Sequence, residues 1–101
     1  MKFVFAICFS MATAFTTTVL ADVATGQSTY AARGCIGCHG AGGVSVVTTY
    51  PSLKGQNREF VRKNLADFRS GARKNPVMSA MAAGLSDADI DNIADYIDSL
   101  K

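Results

Sequence analysis

Between residues 34 and 55 the chain places glycine at 34, 37, 40, 42, 43 and 55 and proline at 51, and at the head of this stretch stands Cys35-Ile36-Gly37-Cys38-His39. So many backbone breakers forbid one long helix or strand there. The reading is a long loop, and a loop of about 20 residues inside a small domain is usually functional. Everything regular must therefore fit before residue 34 or after residue 55.

The chain has 101 residues, enough for one small domain. Residues 1–21, MKFVFAICFSMATAFTTTVLA, open with Lys2, continue through an apolar run and end in Val19-Leu20-Ala21. This is the pattern of a secretory leader cut after Ala21. Ser10, Thr13 and Thr16 to Thr18 interrupt the run, whereas a spanning helix wants about 20 mainly apolar residues. Stable membrane insertion after cleavage is not expected. The domain is then 22–101, and the exported compartment read from the leader is the periplasm.

Loss of the leader removes Lys2 and Cys8, leaving nine basic and eight acidic residues and the cysteines 35 and 38. A charge so near balance is wrong for a protein that grips phosphate backbones, so nucleic acid is not an expected partner. Eighty residues lie near the lower limit for a core unsupported by a staple. A Cys35–Cys38 disulfide would close too short a loop to constrain much of the unfolded chain. Something larger is expected at these thiols.

C-x-x-C-H is the spacing for covalent attachment of a c-type haem. Two thiols add across the two porphyrin vinyl groups, and the adjoining imidazole reaches the iron as proximal ligand. The competing thiol-exchange motif expects a strand before it and a βαβ setting, and neither is visible. A structural zinc site needs four ligands, and only Cys35, Cys38 and His39 are offered. His39 is the chain's single histidine, so paired histidine ligation within the chain is excluded. The sixth position falls to methionine, water or nothing. After the leader the methionines are Met78 and Met81; a thioether ligand raises the reduction potential, while a methionine can equally fill a gap in a core.

The remaining pattern is helical. Val23, Tyr30 and Ala31 suggest a short first helix over 22–33 with Thr25 placed to cap it. In 57–70 the residues Phe60, Val61, Leu65 and Phe68 form an apolar stripe, and Gly71 supplies a stop. The stretch 72–85, with Pro76 and Gly84, reads as irregular. In 86–100 Ser86 and Asp89 form a capping-box pair, and Ile90, Ile93, Ala94, Ile97 and Leu100 repeat at three and four residues. Val44 to Thr49 is rich in β-formers but isolated. The expected fold is all-α, with three main helices and two long loops around one covalently attached haem.

These residues together carry a family resemblance. CIGCHG at 35–40, YPSLKGQ at 50–56, NPVMSAMAAGLSDADI at 75–90 and IADYIDSL at 93–100, with Gly26 and Tyr30 before them, resemble the class I bacterial c-type cytochromes. The likeness is to the monohaem cytochrome c553 and cytochrome c4-type domains, over the whole of 22–101. It implies Met78 as the second iron ligand, a hydrogen bond from His39 to the Pro51 carbonyl, and a contact of Gly26 and Tyr30 with the region of Tyr96.

The resemblance implies a single-electron carrier between respiratory redox proteins, monomeric and turning over no substrate, with donor and acceptor unnamed. A cytochrome subunit held by a dehydrogenase, as in a flavocytochrome, is one alternative. A haem sensor or peroxidase-like protein with an open sixth site is another. Arg58, Arg62, Lys63, Arg69, Arg73 and Lys74 form a basic cluster, readable as a solvated face, a docking patch for an acidic partner, or counter-charge for a haem propionate.

Overall fold

The computed structural model describes residues 19–101, with side chains from residue 23 onward. The expected leader, residues 1–21, lies outside the described residues except for its last three backbone positions, so its cleavage is not addressed by the fold. Five helices make up the described chain: α1 (Val19–Ala32), α2 (Cys35–His39), α3 (Arg58–Ser70), α4 (Pro76–Ala83) and α5 (Asp87–Ser99), with a single 3₁₀ turn at Ala41–Gly43. Among the described residues there is no strand, in keeping with the all-α expectation. No helix among them is long and apolar enough to cross a membrane.

The two best-patterned helices form as their local signals require. Asn57 caps α3 by accepting the Phe60 amide, and Gly71, at φ 86°, ends it in the left-handed conformation that glycine adopts without penalty. Ser86 and Asp89 make a reciprocal capping box at the start of α5. Val61, Leu65 and Phe68 of α3 are buried with Ile90, Ile93, Ala94 and Ile97 of α5. The two helices run antiparallel, joined outside the core by ion pairs Arg58–Asp95 at 2.7 Å, Arg62–Asp91 at 3.1 Å and Arg69–Asp87 at 2.6 Å.

α1 packs against the other side of α5. Gly26 makes this possible, because a Cβ at that position would lie 1.9 Å from the Asn92 carbonyl oxygen and 2.9 Å from Tyr96 Cβ. One turn further on, the buried Tyr30 ring meets Tyr96 at 5.4 Å in a tilted arrangement, a favourable geometry for aromatic pairs.

Three expectations need correction. The stretch 72–85 is not irregular: it contains α4, whose Asn75 side chain accepts the amides of Val77 and Met78 and whose Pro76 occupies the first turn. An Asn-Pro pair at a helix start is a recognised signature, which the emphasis on Pro76 as a breaker concealed. The long loop likewise contains α2 and the 3₁₀ turn. α1 begins at Val19 rather than residue 22, so Thr25 lies inside the helix instead of capping it.

Candidate haem site

The site is built on α2, one turn and a half of helix between two left-handed glycines. Gly34 (φ 82°) turns the chain out of α1, and Gly40 (φ 84°) ends α2. A Cβ on Gly40 would lie 1.8 Å from the Val44 carbonyl oxygen, so the chain folds back here only with glycine. Within α2 the spacing of three residues sets Cys35 and Cys38 on one face. Both are partly buried and unbridged, and His39 beside them is buried.

His39 is held by the opposite limb of the loop. Its Nδ1 lies 2.7 Å from the Pro51 carbonyl oxygen; a carbonyl only accepts, so Nδ1 donates and Nε2 keeps the lone pair that a metal would use. Pro51 is positioned in turn by backbone bonds. The Gly43 carbonyl accepts from Leu53 at 2.7 Å and Lys54 at 3.1 Å, and the Ser52 hydroxyl accepts from the Ser45 amide at 2.9 Å. On the other flank the Tyr30 hydroxyl donates to the Gly40 carbonyl at 2.7 Å. Burial first, then the neighbouring Cys35 and Tyr96, pushes the Tyr30 phenol up to about 12, so it remains a donor at any physiological pH. Pattern reading missed this bond, since it joins residues ten apart across a turn.

These groups open onto a cavity of about 500 Å³, inside the range of about 300–1,000 Å³ usual for small-molecule sites. Cys35, Cys38 and His39 line it from α2, and Met78 and Met81 reach it from α4. Asn75 fixes the Met78 amide at 2.9 Å. Met78 packs, partly buried, against the core, whereas Met81 is 39% exposed. Phe60, expected on the buried stripe of α3, is instead 52% exposed and lines the cavity with Val61, Leu65 and Phe68. A large aromatic left half bare at a cavity wall is surface shaped for an apolar guest.

The donor set distinguishes among guests. Burial, more than any other cause, pushes the Cys35 thiol up, opposite to the lowered pKa that thiol exchange requires. Among the described residues no group of three or more His, Cys, Asp and Glu is arranged to hold a metal ion. Two free thiols, an oriented imidazole, thioethers and a mainly apolar hollow fit a haem.

The basic cluster is largely consumed by the fold. Arg58, Arg62 and Arg69 pair with carboxylates of α5, and Lys63 pairs with Asp67 at 2.5 Å. Arg73 differs: it lines the cavity, over the Phe68 ring.

Comparison with known proteins agrees with this geometry. The family model described as Cytochrome C oxidase, cbb3-type, subunit III matches residues 21–97. The chain is 40% identical over 88 residues to a thiosulfate dehydrogenase electron acceptor of Stutzerimonas stutzeri, covering 79% of this chain and 41% of that protein. It is 44% identical over 71 residues to cytochrome c4 of Pseudomonas aeruginosa, covering 65% and 35%. With cytochrome c-553 of Helicobacter pylori strain 26695 it shares 42% over 71 residues, covering 69% and 74%. It thus spans well under half the length of the first two relatives and most of the third. With the C-x-x-C-H motif on its own short helix at the wall of an apolar cavity, the chain belongs to the class I c-type cytochromes, a family whose cofactor is covalently bound haem c.

Proposed function

We propose that this protein is a periplasmic one-electron shuttle, made with a leader that is removed after Ala21 and holding one haem through thioether bonds from Cys35 and Cys38. His39 and Met78 are the iron ligands in this reading. What supports it is the meeting in one cavity of the α2 motif and a thioether from α4, some 40 residues apart in the chain. The bound haem supplies a single-electron couple at iron. The chain's own residues keep that couple simple. The Pro51 carbonyl holds the Nδ1 proton of His39, so no proton need move with the electron. Met78 fills the position that an exogenous ligand would need. Val61, Leu65, Phe68 and Ile93 keep water from the cavity wall. Ile36, 42% exposed beside the two cysteines, marks the edge through which an electron leaves toward a quinol-oxidising complex or a terminal oxidase or reductase.

Optical spectra of the holoprotein test this. Met78→Ala abolishes the long-wavelength sulfur-to-iron band of the oxidised form and lets the reduced form bind carbon monoxide, while Met81→Ala keeps the band. Carbon monoxide binding by the unmutated reduced protein, with no native ligand lost, points instead to an open sixth site. The N-terminal residue of the mature protein, expected to be Asp22, tests the leader.

A second reading, that the chain takes electrons inside a dehydrogenase complex, draws on the relative named thiosulfate dehydrogenase electron acceptor. Size-exclusion chromatography of native extract separates the two: a shuttle elutes near its own mass, a subunit with its enzyme.

A further inference from the structure

We infer that Arg73 is an anion-binding residue of the cofactor site, whose guanidinium takes a carboxylate of the haem at the rim of the cavity. The inference rests on the reading that haem fills this cavity. Its first support is an inventory. Among the described residues lining the cavity, Arg73 is the one permanently charged side chain; no Asp, Glu or Lys lines it. A haem brings two carboxylic acids, both ionised at neutral pH, to walls that otherwise offer apolar surface and neutral polar groups. An ionised carboxylate placed there without a partner is costly.

Second, the charge of Arg73 is not used elsewhere. Four other cations of the same cluster face carboxylates, yet Arg73 faces none among the described residues. Its Nη1 donates to the neutral Asn64 side-chain oxygen at 2.5 Å, and its Cζ lies 4.7 Å from the centroid of the Phe68 ring. Both contacts orient the guanidinium plane and leave its charge uncompensated. Asn64 takes one of five N–H donors. What remains is a planar fork, the shape that matches a carboxylate through two parallel hydrogen bonds.

Third, the backbone delivers Arg73 to this place. After Gly71 turns the chain out of α3, the Arg73 amide donates to the Asp67 carbonyl at 3.1 Å, fixing the residue two positions beyond the Gly71 cap. Lys74, its neighbour in sequence, is exposed as Arg73 is, but it does not line the cavity. What sets Arg73 apart is its place at the cavity rim, held there by Asn64 and Phe68.

The test uses the intact haem-loaded protein, labelled with ¹⁵N and reduced so that low-spin iron is diamagnetic. The Arg73 side-chain N–H protons are expected to show Overhauser contacts to the methylene protons of a haem carboxylate arm. R73Q lowers the reduction potential, because loss of a cation beside the porphyrin favours the oxidised form, and R73K restores most of the drop. K74Q, an equal change of net charge one residue away, shifts the potential much less. Absence of the contacts in the unmutated protein overturns the inference, as does an equal shift in R73Q and K74Q, which would make Arg73 a surface charge only. Protein whose mass shows no covalent haem would defeat the occupancy reading instead, and it is recognised before any potential is measured.

Discussion

At the scale of single residues, the site depends on glycines that cannot be replaced and on polar atoms with one partner each. Gly26 is the clearest case. Inside an exposed helix, glycine to alanine is worth up to about 1 kcal/mol of stabilisation, but here the added methyl would sit 1.9 Å from the Asn92 carbonyl oxygen. Backbone cannot yield as a flexible side chain can, so overpacking wins. Gly26→Ala is expected to destabilise the holoprotein by about 2 to 3 kcal/mol in denaturant titration; unchanged or increased stability would mean that α1 and α5 do not meet at this glycine. The same residue shows what sequence could and could not supply. A contact between Gly26, Tyr30 and the region of Tyr96 followed from family resemblance, whereas periodicity alone gave a short first helix and no partner for it. Cys35, Cys38 and His39 were legible as a motif because their chemistry is local. Arg73 was legible only as one of six cations, since its isolation among cavity residues arises from the turn after α3 and from what its neighbours pair with.

At the scale of elements, α3 and α5 were readable because cap, apolar stripe and stop agree within each. α4 was not, since eight residues of PVMSAMAA are apolar almost all round and present no polar face against which a stripe could stand out. Its existence matters to the chemistry. A methionine on a helix has its backbone fixed by intrahelical bonds, and the Asn75 oxygen accepts the amides of both Val77 and Met78. Asn75→Ala is therefore expected to cost about 1 kcal/mol in global stability. It should also weaken the hold on Met78, seen as faster displacement of the native ligand by added imidazole; displacement at the unmutated rate would show that α4 is held by its packing and not by its cap. By contrast, the Arg62–Asp91 pair between α3 and α5 is solvent-exposed on both sides, and such pairs are worth about 0 to 1 kcal/mol each. Arg62→Ala, breaking this pair, should accordingly change stability by less than about 1 kcal/mol in the same titration, and a larger loss would give the pair a structural role that its exposure argues against.

At the scale of the whole molecule, the three main helices expected are present, and each of the two long loops between them also carries a short helix. The physical reason is common to each: α2 and α4 are defined by what they hold toward the cavity, not by an amphipathic repeat. The Tyr30 hydroxyl ties this arrangement together, joining α1 to the end of α2 under the α1–α5 contact, and it also lends the fold a pH limit. The folded protein keeps the phenolic proton up to about pH 12, while an unfolded tyrosine releases it near pH 10. Above pH 10 the unfolded state alone gains by ionising, so this contribution to stability is complete below pH 10 and lost by about pH 12. Tyr30→Phe should remove that decline in denaturant melts of the reduced holoprotein, starting from a baseline lower by about 1 to 2 kcal/mol because the Gly40 carbonyl loses its donor. Equal slopes for both proteins between pH 10 and 12 would mean that the phenol is not buried.

The most direct measurement is the intact mass of protein purified from cells able to attach haem, followed by the mass of its peptide spanning residues 34–54. One haem covalently carried on that peptide, with no free thiol at Cys35 or Cys38, is the predicted result. A colourless chain in which the same peptide carries two free thiols, or a bond between them, would contradict it.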